Sequence, residues 1–237
     1  MSQPAAGQVV MPFYLLCDVS GSMWVDIPAL NAGIAQLQSD IMRDPVVDDL
    51  TMLSIITFAD TARTVVPLSF PTEIQPPTLT SGGLTNFGPA FREFHRVFEA
   101  DRVRLKSEGK RIFRPCVFFL TDGEPTDGDY AQVFASLLGF DPATRQGNAR
   151  YPYVTAFGFR EATAETMATI TYPTFGEKRG RYFLAREGAS ISDVLTHIAG
   201  AIATSVVGSA LSVSSGTPQY TPPANDAIAG MDGSYVG

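Results

Sequence analysis

Five side chains that could coordinate a metal ion occur in three short polar segments of the sequence. They are two carboxylates and three hydroxyls: Asp18, Ser20, Ser22, Thr85 and Asp122. A hard divalent cation such as Mg²⁺ prefers oxygen ligands and usually keeps some of its water. Two carboxylates would offset the charge of the cation, and the hydroxyls would coordinate it without adding charge. If the fold brings the three segments together, they form a site for Mg²⁺, Ca²⁺ or Mn²⁺ with one coordination position left open.

Each of these residues also has a simpler explanation when it is taken alone. Asp18 or Thr85 could cap a following helix, and Asp122 could form a turn with Gly123. A cap or a turn explains one residue at a time, and it leaves Ser20 and Ser22 unexplained. The metal hypothesis accounts for the whole set, and we adopt it.

Further acidic residues follow Asp122 in the segment EPTDGD, which begins at Glu124. Proline and glycine are typical of turns, so we expect Asp127 and Asp129 to be solvated turn residues. Glu124 and Asp127 could in addition shape the rim of the site.

The elements that must position these side chains alternate between strands and helices. Apolar runs predict strands at residues 13–17, 51–58, 63–68, 116–120, 153–159 and 181–185. Apolar residues at helical spacing predict helices at residues 27–41, 87–98, 130–138, 162–170 and 191–211. Four phenylalanines of the second helix share one face, which predicts a core face rather than a cofactor contact.

This alternation predicts a three-layer, doubly wound α/β fold with a mostly parallel sheet. The strands at 51–58 and 63–68 are joined by a link too short for a crossover, so they should form a hairpin with one antiparallel edge strand. Sheets of this type bind ligands beyond the carboxyl ends of their strands, where the strand order reverses. Because the three polar segments follow predicted strands or precede a helix at that edge, we expect them to meet there.

Composition limits the classes of partner. The 237 residues are 17% charged with a net charge of −7, and no cluster of Lys and Arg stands out, so nucleic acid is not an expected partner. The start, MSQPAAGQVVMPF, lacks a basic region followed by an apolar one, and we find no apolar stretch of about 18 residues. No membrane association is expected. Cys17 and Cys116 lie in apolar runs and are expected to be buried reduced thiols, consistent with a cytoplasmic protein.

The motifs together resemble the metal-ion-dependent adhesion site of von Willebrand factor A (VWA) domains. The resemblance rests on DVSGS at residues 18–22, the threonine loop GGLT at 82–85 and TDG at 121–123. The segments LNAGIAQLQSDIMRDP, LSIITFADTA and LTDGEPTDG are similar to the bacterial TerY-like branch, which is associated with tellurite resistance and stress operons. The resemblance implies that both serines and the threonine bind the metal directly, and that both aspartates bind it directly or through water. It also implies neighbours in the operon that include kinases and phosphatases.

Two functions are consistent with such a site. In the first, the metal binds an Asp or Glu of a partner protein, and the chain is an interaction module without catalytic residues. In the alternative, Asp18 is the nucleophile of a Mg²⁺-dependent phosphotransfer enzyme. Such an enzyme needs a second carboxylate two residues later as a general acid and a lysine for the phosphoryl group. Ser20 occupies that position and no lysine is near, which favours the interaction module.

We assign the VWA domain to residues 9–210 and a Ser/Gly/Pro-rich tail to residues 211–237. The tail has no helical or strand periodicity and is expected to be disordered when alone. An alternative is that Asp226 or Asp232 docks into an adhesion site of this or a neighbouring molecule.

Overall fold

A central sheet with helices on both faces organises the chain. The computed structural model describes residues 7–176 and 179–236. The strands are β1 (Val9–Asp18), β2 (Thr51–Phe58), β3 (Ala62–Ser69), β4 (Arg111–Ile112), β5 (Cys116–Thr121), β6 (Phe140–Asp141), β7 (Gln146–Gly147), β8 (Tyr153–Gly158), β9 (Arg181–Ala185) and β10 (Met231–Tyr235). The helices are α1 (Ile27–Met42), α2 (Pro45–Leu50), α3 (Phe87–Ser107), α4 (Tyr130–Leu138), α5 (Ala164–Thr169) and α6 (Ile191–Ser214).

The main sheet has the strand order β10-β9-β8-β5-β1-β2-β3, and β4 pairs beside β1. The five inner strands β9, β8, β5, β1 and β2 are parallel to one another, and β3 is antiparallel to β2 as the hairpin prediction required. β6 and β7 form a separate two-stranded ribbon. The predicted fold class, a mostly parallel sheet flanked by helices, is confirmed.

Alternation of side chains along β1 divides the core into two layers. Phe13 and Leu15 face the layer that contains α1 and α6, and Tyr14 and Leu16 face the layer that contains α3 and α4. This alternation is the ordinary period of a strand, and here both faces are apolar because helices cover both. The phenylalanines of α3 lie on its core face, as predicted: the rings of Phe87 and Phe119 are 4.8 Å apart in an edge-to-face arrangement.

The tail differs from the prediction. Helix α6 continues to Ser214, and β10 pairs with β9 as a second antiparallel edge strand. Between them Tyr220 is buried and stacks on Tyr153, with ring centroids 4.8 Å apart. Residues 215–236, which were expected to be disordered when alone, are therefore ordered by contacts with the rest of the chain. The apolar residues that hold this segment against the sheet are scattered along the sequence. They show neither helical nor strand periodicity, so the sequence pattern did not predict their contacts.

Helix α6 also corrects the statement that no apolar stretch is long enough to span a membrane. Over Ile191–Val213 its length and its mean hydropathy of 1.6 meet that criterion. In the fold, 61% of this window is buried, and α6 packs along α1 and over the sheet. Its apolar composition is accounted for by this position as a core helix.

Candidate functional site

The site lies at the carboxyl ends of two neighbouring strands. β1 and β5 are parallel and paired from Phe13 with Cys116 to Cys17 with Leu120. From β1 the chain continues to β2 on one side and later to β5 on the other side, so the strand order reverses here. Asp18 is the last residue of β1, and Asp122 directly follows β5. The predicted crevice is thus formed by the expected strands.

Asp18 is fully buried, and both of its carboxylate oxygens accept hydrogen bonds. The Ser20 amide donates to Oδ1 at 2.8 Å, and the Thr121 hydroxyl donates to Oδ2 at 2.6 Å. Burial raises the pKa of Asp18 to about 6, although the hydrogen bonds from Ser20 and Thr121 act in the opposite direction. The nearby Asp122 carboxylate raises it further. Asp18 is therefore held rigidly, and no Lys or Arg of residues 7–176 and 179–236 forms an ion pair with it.

A chain of hydrogen bonds joins the two serines to Asp122. The hydroxyls of Ser20 and Ser22 are 3.1 Å apart, and Ser22 donates to Asp122 Oδ1 at 2.8 Å. Asp122 Oδ2 is buried and has no hydrogen-bond partner among the described residues. The pKa of the Asp122 carboxyl is raised, mainly because the group is buried. An unsatisfied buried carboxylate oxygen is costly, so its presence beside two hydroxyls points to a ligand.

Thr85 is brought to the same crevice by contacts of the protein backbone. The Gly21 amide donates to the Gly83 carbonyl at 3.0 Å, and the Thr126 amide donates to the Thr85 carbonyl at 2.7 Å. The threonine loop is thus bonded to both the β1 loop and the β5 loop. The Thr85 side chain is buried, but within the described part of the chain it makes no hydrogen bond to the other four predicted residues.

The Gly-Gly-Leu-Thr sequence of this loop has a structural reason. Gly83 has a φ of +84°, and a Cβ at this position would lie 2.2 Å from Asp60 Oδ2. Asp60 in turn accepts a hydrogen bond from the Leu84 amide at 3.1 Å. The Leu84 side chain is 58% exposed, so it points outward and leaves the crevice to Thr85.

The donor set fits a hard cation. No group of three or more His, Cys, Asp or Glu residues that could hold a metal occurs in residues 7–176 and 179–236, and this site contains two carboxylates. A cation held here would depend on hydroxyl oxygens and water in addition to the carboxylates, which suits Mg²⁺ better than a soft metal. Asp122 Oδ2, which has no hydrogen-bond partner among the described residues, is consistent with a bound cation.

An ion pair next to the site was not predicted. Asp26 is buried before α1 and accepts a hydrogen bond from the Arg160 guanidinium. Arg160 lowers the pKa of Asp122, whereas Asp26 raises it. The two residues are 134 positions apart, and the sequence contains no signal that pairs them. Because Arg160 is engaged by Asp26, the positive charge that it offers to Asp122 is partly neutralised.

The acidic residues after Asp122 are also placed differently from the prediction. Asp127 accepts hydrogen bonds from the amides of Phe87 and Gly88 at 2.8 and 2.6 Å, so it caps helix α3 rather than projecting into solvent. Glu124 accepts a hydrogen bond from the Thr163 amide at 2.7 Å at the start of α5. The solvated-turn prediction is wrong for Asp127, because the chain folds this turn against the N-terminus of α3, where the Asn86 side chain makes no cap hydrogen bond.

Apolar side chains stand exposed beside the crevice. A 3-10 helix, Gly21–Val25, begins directly after Ser20 and includes Ser22. It presents Trp24, which is 72% exposed, and Val25, which is 53% exposed. Leu84 projects from the threonine loop, which is hydrogen-bonded to the first loop. We call Trp24, Val25 and Leu84 the apolar rim. Large apolar side chains that are exposed near polar residues are typical of interaction surfaces.

The acidic residues of the tail do not reach this site in the same molecule. Asp232 of β10 pairs at 2.8 Å with Arg186, which directly follows β9 at the outer part of the sheet. Asp226 makes no hydrogen bond to any of the five site residues within the described segments. The alternative in which the tail occupies the adhesion site of its own molecule therefore has no support in the structure.

Comparisons with known proteins identify the fold. No protein-family profile and no curated protein sequence matches the chain. Among solved structures, it is similar to proximal thread matrix protein 1 (PTMP1) of the mussel byssus, in a form described as having a zinc-occupied MIDAS motif. The TM-score is 0.55, the identity is 14%, and the match covers 85% of this chain and 48% of that one. It is also similar to the pilus adhesin SpaC from Lactobacillus rhamnosus GG, with a TM-score of 0.60, 14% identity and coverage of 84% and 30%.

These similarities show a VWA-like α/β fold. The chain spans about half the length of the mussel protein and less than a third of the adhesin.

Proposed function

We propose that the chain is a metal-dependent interaction module. A divalent cation, Mg²⁺ or else Ca²⁺ or Mn²⁺, would be held by the five predicted oxygen ligands: Asp18, Ser20, Ser22, Thr85 and Asp122. The bound cation would supply one open coordination position for an Asp or Glu side chain of a partner protein. The rest of the proposal concerns what the residues of this chain contribute.

The observation that carries the proposal is the environment of Asp122. One of its oxygens accepts a hydrogen bond from Ser22, and the other is buried and has no hydrogen-bond partner in the described part of the chain. Ser22 and Ser20 form a continuous row of hydroxyls towards Asp18. A cation in this row would satisfy the free oxygen and offset the two carboxylates at once, whereas a cap or a turn would do neither. The description of PTMP1 as having a zinc-occupied MIDAS motif supports the same chemistry on this fold.

The surroundings of the site support a protein partner. Trp24, Val25 and Leu84 are exposed next to a crevice that is itself polar. A carboxylate that enters the crevice would bring neighbouring side chains of its own protein against the apolar rim. Aromatic side chains at the edge of a polar anchor contribute strongly to interfaces between proteins. The adhesin SpaC, with the same fold, is consistent with a binding role.

The phosphotransfer alternative has less support. A nucleophilic aspartate must expose one carboxylate oxygen to its substrate, but both oxygens of Asp18 are hydrogen-bonded inside the protein. Arg160, whose charge lowers the pKa of Asp122, is paired with Asp26. These contacts suit a fixed ligand better than a reacting group.

The biological setting belongs to the proposal as well. The TerY-like segments support a role in a bacterial stress or tellurite-resistance system, with a kinase or phosphatase of the same operon among the candidate partners. A cytoplasmic location is consistent with two unpaired buried cysteines. Gene neighbourhood is the direct check on this part.

Metal binding can be measured with the protein's own fluorophore. Trp24 is the single tryptophan and lies two residues after Ser22. Paramagnetic Mn²⁺ bound in the crevice should quench its fluorescence in a saturable way, and Mg²⁺ should reverse the quenching by competition. Replacing Asp122 by Asn keeps an acceptor for Ser22 but removes the charge. Because residues that merely orient metal ligands change metal affinity about 10- to 100-fold, this variant should bind Mn²⁺ at least about tenfold more weakly.

The matched control is Asp129→Asn, which removes a nearby charge that is exposed and paired with Arg92. Its titration should coincide with that of the wild type. Equal Mn²⁺ affinity of the wild type and Asp122→Asn would contradict the assignment of the site.

A further inference from the structure

A basic cavity lies at the end of the sheet opposite to Asp18. Its volume is about 410 Å³. It is formed by the last turns of α3, by the segment that leads into β5 and by the loop before β8. Five cationic side chains line it: Arg102, Lys106, Lys110, Arg114 and Arg150. Four of these five residues lie between positions 102 and 114, so the expectation of no cluster of Lys and Arg is wrong.

The positive charge of the cavity is only partly neutralised. Glu99 pairs with Arg102 at 2.6 Å, and Glu108 pairs with Lys110 at 2.8 Å. Glu108 is shared with Arg104. In the part of the chain that the structure describes, the side chains of Lys106 and Arg150 form no ion pair within 4 Å. Five of the 17 Lys and Arg residues thus surround one concave surface, although the net charge of the chain is −7.

Two of these cations are fixed by contacts with aromatic rings. The Lys110 side chain is only 6% exposed, and its ammonium lies 5.1 Å from the centre of the Phe70 ring. The Arg114 guanidinium lies 3.8 Å from the centre of the Tyr151 ring and donates to the Tyr151 carbonyl at 2.7 Å. Cations held in this way lose little conformational freedom when an anion binds. The cavity is therefore preorganised for negative charge.

We propose that this cavity binds a small organic phosphate. Guanidinium groups match pairs of phosphate oxygens, and lysines add point charge. Phe113 and Pro115 also line the cavity and give an apolar wall for the carbon part of the ligand. The volume lies within the range of small-molecule pockets, about 300–1,000 Å³. A nucleic acid would need a basic surface that continues beyond the cavity, which an acidic chain does not favour.

Calorimetric titration with adenosine monophosphate and with inorganic phosphate, at constant ionic strength, tests this proposal. The double variant Lys106→Glu, Arg150→Glu reverses two cavity charges that form no ion pair among the described residues and, unlike Arg114, are not held against an aromatic ring. The matched control is Arg43→Glu, Arg63→Glu, which reverses two exposed charges outside the cavity. We expect the wild type to bind the monophosphate more tightly than inorganic phosphate. The cavity variant should bind it at least about tenfold more weakly, and the control should stay within about twofold.

Three results would overturn the proposal. The first is the absence of monophosphate binding by the wild type at millimolar concentration, or equal affinity for inorganic phosphate. The second is an equal loss in both double variants, which would mean diffuse attraction by net charge. The third is tighter binding of a single-stranded oligonucleotide than of the monophosphate. If circular dichroism shows that the cavity variant is unfolded, Lys106→Ala and Arg150→Ala replace it, and each should weaken binding several-fold.

Discussion

Two carboxylates with different hydrogen bonding define the candidate site. Asp18 is satisfied by Ser20 and Thr121 on both oxygens and is fixed in position. Asp122 has one buried oxygen to which none of residues 7–176 and 179–236 donates a hydrogen bond. A purely structural aspartate at a strand end would resemble Asp18 alone. The pair, linked through Ser22, is better explained by a ligand that both residues share.

The cysteines next to the site allow a test of the core around it. Cys17 and Cys116 are fully buried free thiols on the neighbouring strands β1 and β5, as predicted. Burial, with a smaller contribution from Asp18, raises the pKa of Cys17 to about 12, and burial raises the pKa of Cys116 as well. Because the thiolate is the reactive form, both should resist alkylation by iodoacetamide in the native protein and react fully in urea. Rapid labelling of either thiol without denaturant would contradict this packing.

A loop that caps a neighbouring helix holds the site together. The loop after β5 supplies Asp127 to the N-terminus of α3, and α3 begins two residues after Thr85. This contact fixes the threonine loop against the β5 loop. The geometry of the crevice therefore depends on a residue that is not itself a predicted ligand.

We expect Asp127→Ala to destabilise the protein by about 1–2 kcal/mol, since it removes the acceptor of two amide groups at a helix N-terminus. Urea unfolding measures the change. Asp129→Ala is the control: its carboxylate forms an exposed ion pair with Arg92, so the expected change is under about 0.5 kcal/mol. Equal effects of the two substitutions would show that Asp127 does not act as a cap.

The elements that the sequence predicted were those with a strong period or a continuous apolar run. Strands β1, β2 and β5 and helices α1 and α3 belong to this class, and the five candidate ligands could be found because they directly flank such elements. The pair of Asp26 and Arg160 could not be predicted, because it joins distant positions through tertiary contact. Strand β10 was missed because its sequence, MDGSY, has neither alternation nor high strand propensity. It forms because β9 offers an unpaired edge.

Acidic and basic groups lie at opposite ends of the sheet. The carboxyl ends of β1 and β5 carry the buried aspartates, and the opposite end carries the basic cavity. The two regions share strand β5, whose first residue follows the cavity and whose last residue precedes Asp122. Occupancy of either region should stabilise the fold that both require.

Removal of divalent metal should therefore lower the melting temperature. Without a cation, Asp18 and Asp122 are buried close to each other without compensation, and a bound ligand stabilises the folded state by mass action. At a Mg²⁺ concentration about 100 times the dissociation constant, we expect a rise of about 5–10 °C over the protein in EDTA. Differential scanning calorimetry measures this. The Asp122→Asn variant should show a much smaller rise, and identical midpoints for the wild type in both buffers would contradict a tight site.

Capture of partner proteins tests the central claim most directly. The wild type, Thr85→Ala, Asp122→Asn and the control Asp129→Asn are immobilised and exposed to native lysate, each with Mg²⁺ and with EDTA. The account predicts partners that are retained by the wild type and the control in Mg²⁺ only, weakly by Thr85→Ala and not by Asp122→Asn. Replacing Asp by Asn, or Glu by Gln, in the captured partner should abolish its retention, because a neutral amide is a poorer ligand for a hard cation. Capture of the same proteins in all eight samples would contradict a metal-dependent adhesion mechanism.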